Sequence, residues 1–266
     1  MKKAAFVYDY DGTLAKGNIQ EASFLPDLGI NKDDFWTMVR DRTQSEDADE
    51  ILVYMHLMLQ EAKKQGHDIT KNFLRDHGSK TDLFPGLDGG GWFKRMNEFA
   101  ASENIELKHY IVSSGIKEML LGSPIADQFE HIWASKFAYQ DDKAIWPAAA
   151  INYTTKTQFL FRINKGVINS WDNKGVNEYT PLNERPVPFE RMVFLGDGDT
   201  DVPTMKMLTY QGGTSIAVYE NDDGSRKKVH SLISNGRAEF VALADYSENS
   251  QMEITAKAII ARMSKE

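Results

Sequence analysis

The chain has 266 residues, 41% of them apolar and 26% charged, and a formal net charge of −8. This is enough chain for a full core and an ordinary globular composition, while the acidic balance argues against nucleic acid or another polyanion as partner. The absence of cysteine excludes disulfides and thiolate metal sites, and no stretch nears the roughly 20 apolar residues that span a bilayer, so no membrane partner is expected and the cytoplasm is the default location.

The first element is predicted at Ala4–Tyr8, a continuous apolar run with valine and aromatics that reads as a buried strand. Two lysines precede it, but Asp9 cuts it too short for a signal-peptide core. It ends in Asp9-Tyr10-Asp11-Gly12-Thr13, with two carboxylates at the spacing that points both to one side of an extended chain. From Gly17 to Asp82 no strand is expected. The runs DDFWTMVRDR (33–42) and DEILVYMHLMLQEAKKQG (49–66) are helical, the second closed by a basic last turn and Gly66. Residues 17–82 are therefore predicted as an inserted helical domain, with 1–16 and 83–266 as the core. Trp36, Met55, Met58 and Leu59, at helical spacing, are assigned to the interior of the insert.

LFPGL (83–87) is the turn that re-enters the core. Beyond it, helices are predicted at Trp92–Glu103 and Lys156–Asn164, and strands at His109–Ser114, Arg191–Asp197 and Thr214–Tyr219. Asn164 to Phe189, rich in Asn, Gly and Pro, reads as a long loop or small hairpin. Short buried strands alternating with amphipathic helices give the class: α/β, with a doubly wound, mostly parallel sheet.

Ligands of such sheets sit beyond the carboxyl ends of the strands. Those ends carry Asp9 and Asp11, Ser113 and Ser114, and GDGDTD (196–201). So much negative charge in one crevice calls for a cation, and oxygen-only ligands suit Mg²⁺ together with a substrate phosphate. Singly, each piece has a plainer reading. Asp-Gly pairs are common in turns, Ser113-Ser114-Gly115 can cap a helix that opens IKEML, and a lysine is usually solvated. Their joint occurrence, in this order and at these ends, makes a site the better reading.

DYDGT, IVSSG, the lysine of TTKTQFL and GDGDTD together resemble the four signature motifs of the haloacid dehalogenase (HAD) superfamily. The nearest flavour is the phosphoserine-phosphatase-like branch, with a helical cap inserted soon after the first strand. The resemblance implies a Rossmann-like core, Mg²⁺ as cofactor and a small phosphorylated substrate. It makes Asp9 the nucleophile that becomes an aspartyl-phosphate and Asp11 the general acid and base. By the same resemblance the Asp9 carboxylate, the Asp11 main-chain carbonyl and Asp197 hold the metal, and Asp201 supports it directly or through water. Ser113, N–H groups near Gly115, and Lys156 would bind the phosphoryl oxygens.

Ser113 is preferred to Ser114 because it directly follows the apolar run, as in the family, which leaves Ser114 to cap the next helix. Lys156 is preferred to Lys165 because it opens its helix, where the family places the lysine and where an anion is favoured. Lys165, at the far end, would complement the helix dipole. The gap from Lys156 to Asp197 is longer than the family's, and the insertion that fills it could reshape the rim of the site.

An aspartate at position 11 is the phosphatase and phosphomutase pattern, and hydrolysis is the commoner outcome. A phosphotransferase or phosphomutase, and further off a catalytically idle ligand-binding protein, are the alternatives. Substrate choice would come from the cap. There Asn18 or Glu21 takes the place of the family's acidic residue. Arg40 and Arg42 either bind a substrate carboxylate or second phosphate, or are solvated helix charges near Asp41 and Glu46.

Overall fold

The computed structural model describes residues 1–220 and 223–265. Strand β1 (Lys2–Tyr8) is followed by helices α1 (Ile19–Ala22), α2 (Phe24–Asp27), α3 (Lys32–Glu46), α4 (Glu50–Lys64) and α5 (Lys71–Gly78). Helix α6 (Gly91–Ser102) leads to β2 (Ile105–Ile116), α7 (Lys117–Leu120), β3 (His131–Gln140) and β4 (Lys143–Ala149). Then come α8 (Tyr153–Lys165), α9 (Asn173–Asn177), β5 (Met192–Gly196), α10 (Val202–Tyr210) and β6 (Thr214–Tyr219). The chain closes with α11 (Asp223–Ser234), β7 (Phe240–Leu243) and α12 (Gln251–Lys265).

Among the described residues the strands form one seven-stranded sheet in the order β4-β3-β2-β1-β5-β6-β7. All neighbours are parallel except β3 and β4. The strand order reverses at β1, which pairs with β2 on one side and β5 on the other. That reversal opens the crevice in which α/β proteins hold ligands.

Both faces of β1 are covered. Ala4, Phe6 and Tyr8 join Trp92, Phe93 and Met96 of α6 in one apolar cluster, and Ala5 and Val7 join Phe159, Leu160 and Ile163 of α8 in the other. A strand buried on both sides has no polar face, which is why β1 is a continuous apolar run in the sequence.

Helices α3 and α4 begin at side-chain caps. Asn31 accepts from the N–H groups of Asp33 and Asp34, and Asp49 from those of Ile51 and Leu52. Their Phe35, Val39, Met55 and Met58 are buried in the same cluster as β1. Met55 and Met58 are thus interior, as expected, whereas Trp36 is only partly buried.

The hairpin β3–β4 and the four-residue β7 are additions to the expected strands. The hairpin turns on Asp141 and Asp142, both at positive φ (49° and 62°), the two-residue geometry that matches strand twist. Segment 166–190 contains α9 and short 3₁₀ turns but no strand, so it is a loop and not a hairpin. Among the described residues no helix is long and apolar enough to cross a membrane.

Candidate active site

Asp9 prolongs β1 by one residue, its N–H donating to the Leu195 carbonyl at 2.8 Å. The chain then turns sharply. The N–H groups of Thr13, Leu14 and Ala15 all point at the Tyr10 carbonyl (3.2, 2.8 and 3.1 Å). Gly12 takes φ +70°, and a side chain there would collide with the Asp197 carboxylate. Glycine therefore both makes the turn and lets the end of β5 close on the end of β1. Behind the loop, the Tyr246 hydroxyl donates to the Thr13 carbonyl at 2.7 Å.

Lys156, fully buried in the first turns of α8, donates to Asp9 Oδ2 at 2.7 Å and to Asp201 Oδ1 at 2.6 Å. Burial works against its charge, but Asp201 and Asp9 outweigh burial, and its pKa is raised. Asp201 is tied on its other oxygen by the Gly198 N–H at 3.0 Å. Burial first, then the charge of Asp9, push the Asp201 carboxyl up, and Lys156 pulls the other way. The lysine contact favours the ionised form, but the net shift is upward, to about 7.

Asp9, Asp197 and Asp201 each offer an oxygen within 4.8 Å of the others. Three carboxylates gather about one lysine, which contacts two of them, Asp9 and Asp201. Each like pair at that separation costs about 3 kcal/mol at an effective dielectric of roughly 20. An all-oxygen donor set of clustered carboxylates fits a hard divalent cation.

The Asp11 carboxyl stands apart from that group. It accepts the Ile19 N–H at 2.9 Å. Although the residue is partly exposed through the cavity, burial of the carboxyl, followed by the charge of Asp9, raises its pKa well above the ordinary value. Asp9 thus faces an ammonium group, and Asp11, two residues on, is favoured in its protonated form.

Ser113, at 0% exposure, accepts the Gly115 N–H at 3.0 Å, where the pairing of β2 with β3 slips between Ser113 and Ile116. A Cβ on Gly115 would lie 3.2 Å from Asp11 Oδ2, so a bare backbone here lets motif two approach motif one. Ser114 is not the cap expected of it, because α7 begins after Ile116. Its carbonyl accepts the Tyr54 hydroxyl at 2.6 Å.

Part of this group opens on a cavity of about 610 Å³, which the fully buried Lys156 and Asp201 do not line. Asp9, Asp11, Ser113 and Asp197 line its floor, while α3 and α4 supply Trp36, Arg40, Ile51 and Tyr54 to its wall. Asn18 lines the cavity, and Glu21 does not. Glu21 Oε1 instead accepts both Asn18 Nδ2 (2.6 Å) and Trp36 Nε1 (2.7 Å), bracing two wall residues from behind. Trp36, assigned from its spacing to the insert's interior, is therefore a wall residue. Arg40 lines the cavity and is exposed. Arg42 is not brought to the cavity: it pairs with Glu46 at 3.0 Å and Gln60 at 3.1 Å.

Lys165 donates to the carbonyls of Val176 (2.8 Å) and Glu178 (2.5 Å), and Arg162 to those of Asn169, Ser170 and Asp172. The insertion is thereby fastened to the rear of α8. Among the described residues lining the cavity none comes from 166–190, so the expected reshaping of the rim is not realised.

Gln20, Tyr54 and Tyr153 also line the cavity. Nothing in their local sequence separates them from core or surface positions, except that Tyr153 directly precedes the Thr-Thr-Lys of motif three. The structure adds a backbone signal, φ +33° at Tyr153, outside the range most side chains adopt.

No family model matches the chain. An uncharacterized protein of Borreliella burgdorferi (strain ATCC 35210 / DSM 4680 / CIP 102532 / B31) is 26% identical over 274 residues, covering 93% of both proteins. Among solved structures, a probable phosphoserine phosphatase of Vibrio cholerae matches with TM-score 0.60 and 12% identity, over 99% of this chain and 66% of that one. A HAD family hydrolase of Salmonella enterica subsp. enterica serovar Typhi matches with TM-score 0.52 and 17% identity, over 85% of this chain and 65% of that one. The chain thus spans just under two thirds of the length of those two proteins.

Proposed function

We propose that this chain, which has the HAD fold in its phosphoserine-phosphatase-like form, is a Mg²⁺-dependent phosphatase of a small phosphorylated metabolite. The observation that carries the reading is the division between two aspartates of one motif: Asp9 is held against Lys156, and the Asp11 carboxyl is turned away to the Ile19 N–H.

The Asp9 carboxylate, fixed by Lys156 and by the Tyr10 N–H at 2.7 Å, attacks phosphorus and forms an aspartyl-phosphate as the ester bond breaks. Asp11 gives its proton to the leaving alkoxide, then takes one from the water that hydrolyses the acyl phosphate. Ser113 and Lys156 bind the phosphoryl oxygens. Mg²⁺ on Asp9, Asp197 and the Asp11 carbonyl, supported by Asp201, would supply the charge neutralisation that a dianion needs among these carboxylates.

Residues 17–82 act in this reading as a cap on a core of 1–16 and 83–266, shielding the reaction from water. Cap and core are joined at the site by the Ile19 N–H to the Asp11 carboxyl and by Tyr54 to the Ser114 carbonyl, and further out by Asn152 Nδ2 to the Asp49 carboxylate.

The test is phosphate release from a panel of phosphomonoesters with Mg²⁺, run with and without acceptor alcohols. No Mg²⁺-dependent release on any ester would sink the proposal, and transfer to the alcohols in place of water would make the enzyme a phosphotransferase. Asp11→Asn is expected to slow alkyl phosphates by about 10²–10³-fold and p-nitrophenyl phosphate far less, since that leaving group needs no proton. Equal losses on both would remove Asp11 from the acid role.

The metal reading has a test of its own in stability. Asp201, raised to about 7, and Asp11, raised as well, bind protons more tightly folded than unfolded. Their contribution is complete below the ordinary aspartate pKa and is lost as pH rises through the folded values. With chelator, the melting temperature should therefore fall between pH 5 and pH 8. Added Mg²⁺ should restore it more at pH 8 than at pH 5, by about 5 °C. A Mg²⁺ effect independent of pH would count against these carboxylates as the ligands.

A further inference from the structure

Among the described residues, Asp47, Asn104, Asp141, Asp142 and Asn249 take a positive φ, which short polar side chains tolerate. The other non-glycine residue that does so is Tyr153, at φ +33°. For a bulky side chain that backbone is strained, and such strain gathers at ligand sites.

The strain is held from both sides. Before it, Asn152 donates from its side chain to the Asp49 carboxylate and from its N–H to Thr155 Oγ1 at 2.6 Å. After it, Lys156 is fixed by Asp9 and Asp201. The Tyr153 side chain gives the fold nothing comparable in return. It is 44% exposed, and among the described residues its hydroxyl has no hydrogen-bond partner and its ring meets no other ring. Tyr153 instead lines the cavity whose floor carries Asp9.

Trp36 brings a second aromatic surface to the same cavity, and it is fixed in advance. The residue is partly buried, and its Nε1 donates to Glu21 Oε1 at 2.7 Å. Phe35 and Tyr54 meet its ring edge to face, at 5.3 and 5.9 Å between centroids. Aromatic side chains held in this way are stacking surfaces for a flat ring. The cavity, at about 610 Å³, lies within the range of roughly 300–1,000 Å³ that encloses a drug-sized ligand, so a phosphoryl group on its floor leaves room for such a ring. Arg40 lines the same cavity, and a guanidinium stacks on flat rings but repels a quaternary ammonium, the other group that aromatic walls take.

We propose that Tyr153, with Trp36 as a second surface, is a specificity residue that stacks on a flat ring in the leaving alcohol. The substrate class is then a phosphomonoester whose alcohol carries an aromatic or heteroaromatic ring. This rests on the phosphatase reading above.

Benzyl phosphate and cyclohexylmethyl phosphate test it, because they are alike in size and in the primary alcohol released, but only the first carries a flat ring. With Mg²⁺, the wild-type kcat/KM should favour benzyl phosphate by about three- to tenfold. Tyr153→Phe should keep that ratio, whereas Tyr153→Leu and Tyr153→Gly should bring it toward one. The ratio is read within each variant, so partial loss of folded protein does not disturb it. Tyr153→Gly has a second readout in thermal unfolding. Glycine adopts φ +33° without strain, so its melting temperature should equal or exceed that of wild type.

Equal wild-type kcat/KM on the two esters, or a benzyl preference that survives in Tyr153→Gly, would overturn the assignment while leaving the phosphatase intact. A glycine variant several degrees less stable than wild type would do the same, by making the ring a packing element. Choline phosphate preferred over benzyl phosphate would refute the ring and make the wall a cation site. Failure to release phosphate even from p-nitrophenyl phosphate would overturn the phosphatase reading and this inference with it.

Discussion

Asp9→Asn is expected to lower Mg²⁺-dependent kcat/KM by about 10⁴-fold or more while leaving the melting temperature within a few degrees of wild type. The amide removes the anionic oxygen that would attack phosphorus, and no neighbouring carboxylate can replace it. Asp11 is turned to the Ile19 N–H and Asp201 is tied to Lys156 and Gly198. The fold should tolerate the change because an asparagine oxygen can still accept the Tyr10 N–H, and Lys156 keeps its bond to Asp201. Losing one of three clustered negative charges offsets the lost contact to lysine. Phosphate release and thermal unfolding on the same preparation decide the matter. Turnover near wild type would remove Asp9 as nucleophile.

Lys156→Met should damage both activity and stability. The lysine is fully buried and answers two carboxylates at 2.6 and 2.7 Å. Removing one partner of a buried pair leaves uncompensated charge at a cost of about 3–5 kcal/mol, or a drop of roughly 10 °C in melting temperature for a chain of this size. The loss has a direction in pH. Without the ammonium, the Asp201 carboxyl, already pushed up by burial and by Asp9, is pushed further. The variant should then be least stable above neutral pH and recover as acid supplies the missing protons. Lys156→Arg should not rescue it, since a planar guanidinium has no room where a compact ammonium is enclosed. A destabilisation of equal size at pH 5 and pH 8 would show that packing, and not charge, is what the lysine contributes.

The parts of the fold that were legible from residues are those buried on both sides. The apolar runs match β1 and β5 within two residues at either end and β6 at its observed limits, because a strand with no polar face announces itself as an apolar run. The β3–β4 hairpin does not. Its turn is Asp141-Asp142, with no glycine to mark it, and β4 is an edge strand carrying Pro147 and the exposed Ile145 and Trp146. β7 is four residues long and carries too little pattern to read.

The site divides in the same way. Asp9, Asp11, Ser113, Lys156, Asp197 and Asp201 stand where strands end or a helix begins; Asp9, Asp11, Ser113 and Asp197 line one cavity, and the buried Lys156 ties Asp201 to Asp9. Gln20, Trp36 and Tyr54 reach it only through the packing of α1, α3 and α4 over the sheet. Helical spacing tells which side of α3 holds Trp36, but not that this side meets a cavity in place of a neighbour's side chain. Arg42 shows the converse: a charge on the same helix as Arg40, two residues on, turns to Glu46 and Gln60 instead.

Helix α8 has Lys156 near its first turn and the tether of segment 166–190 at its last, roughly 14 Å further along. The tether is made of backbone carbonyls bound by Arg162 and Lys165, so it depends little on which side chains the segment carries. Trp171, Tyr179 and Leu182 already stand out from it at 77%, 84% and 76% exposure. The segment is in effect a socket for interchangeable sequence. An epitope, a fluorophore attachment site or a natural insertion placed between Trp171 and Tyr179 would ride on the back of the molecule, and the lysine at the front would keep its position.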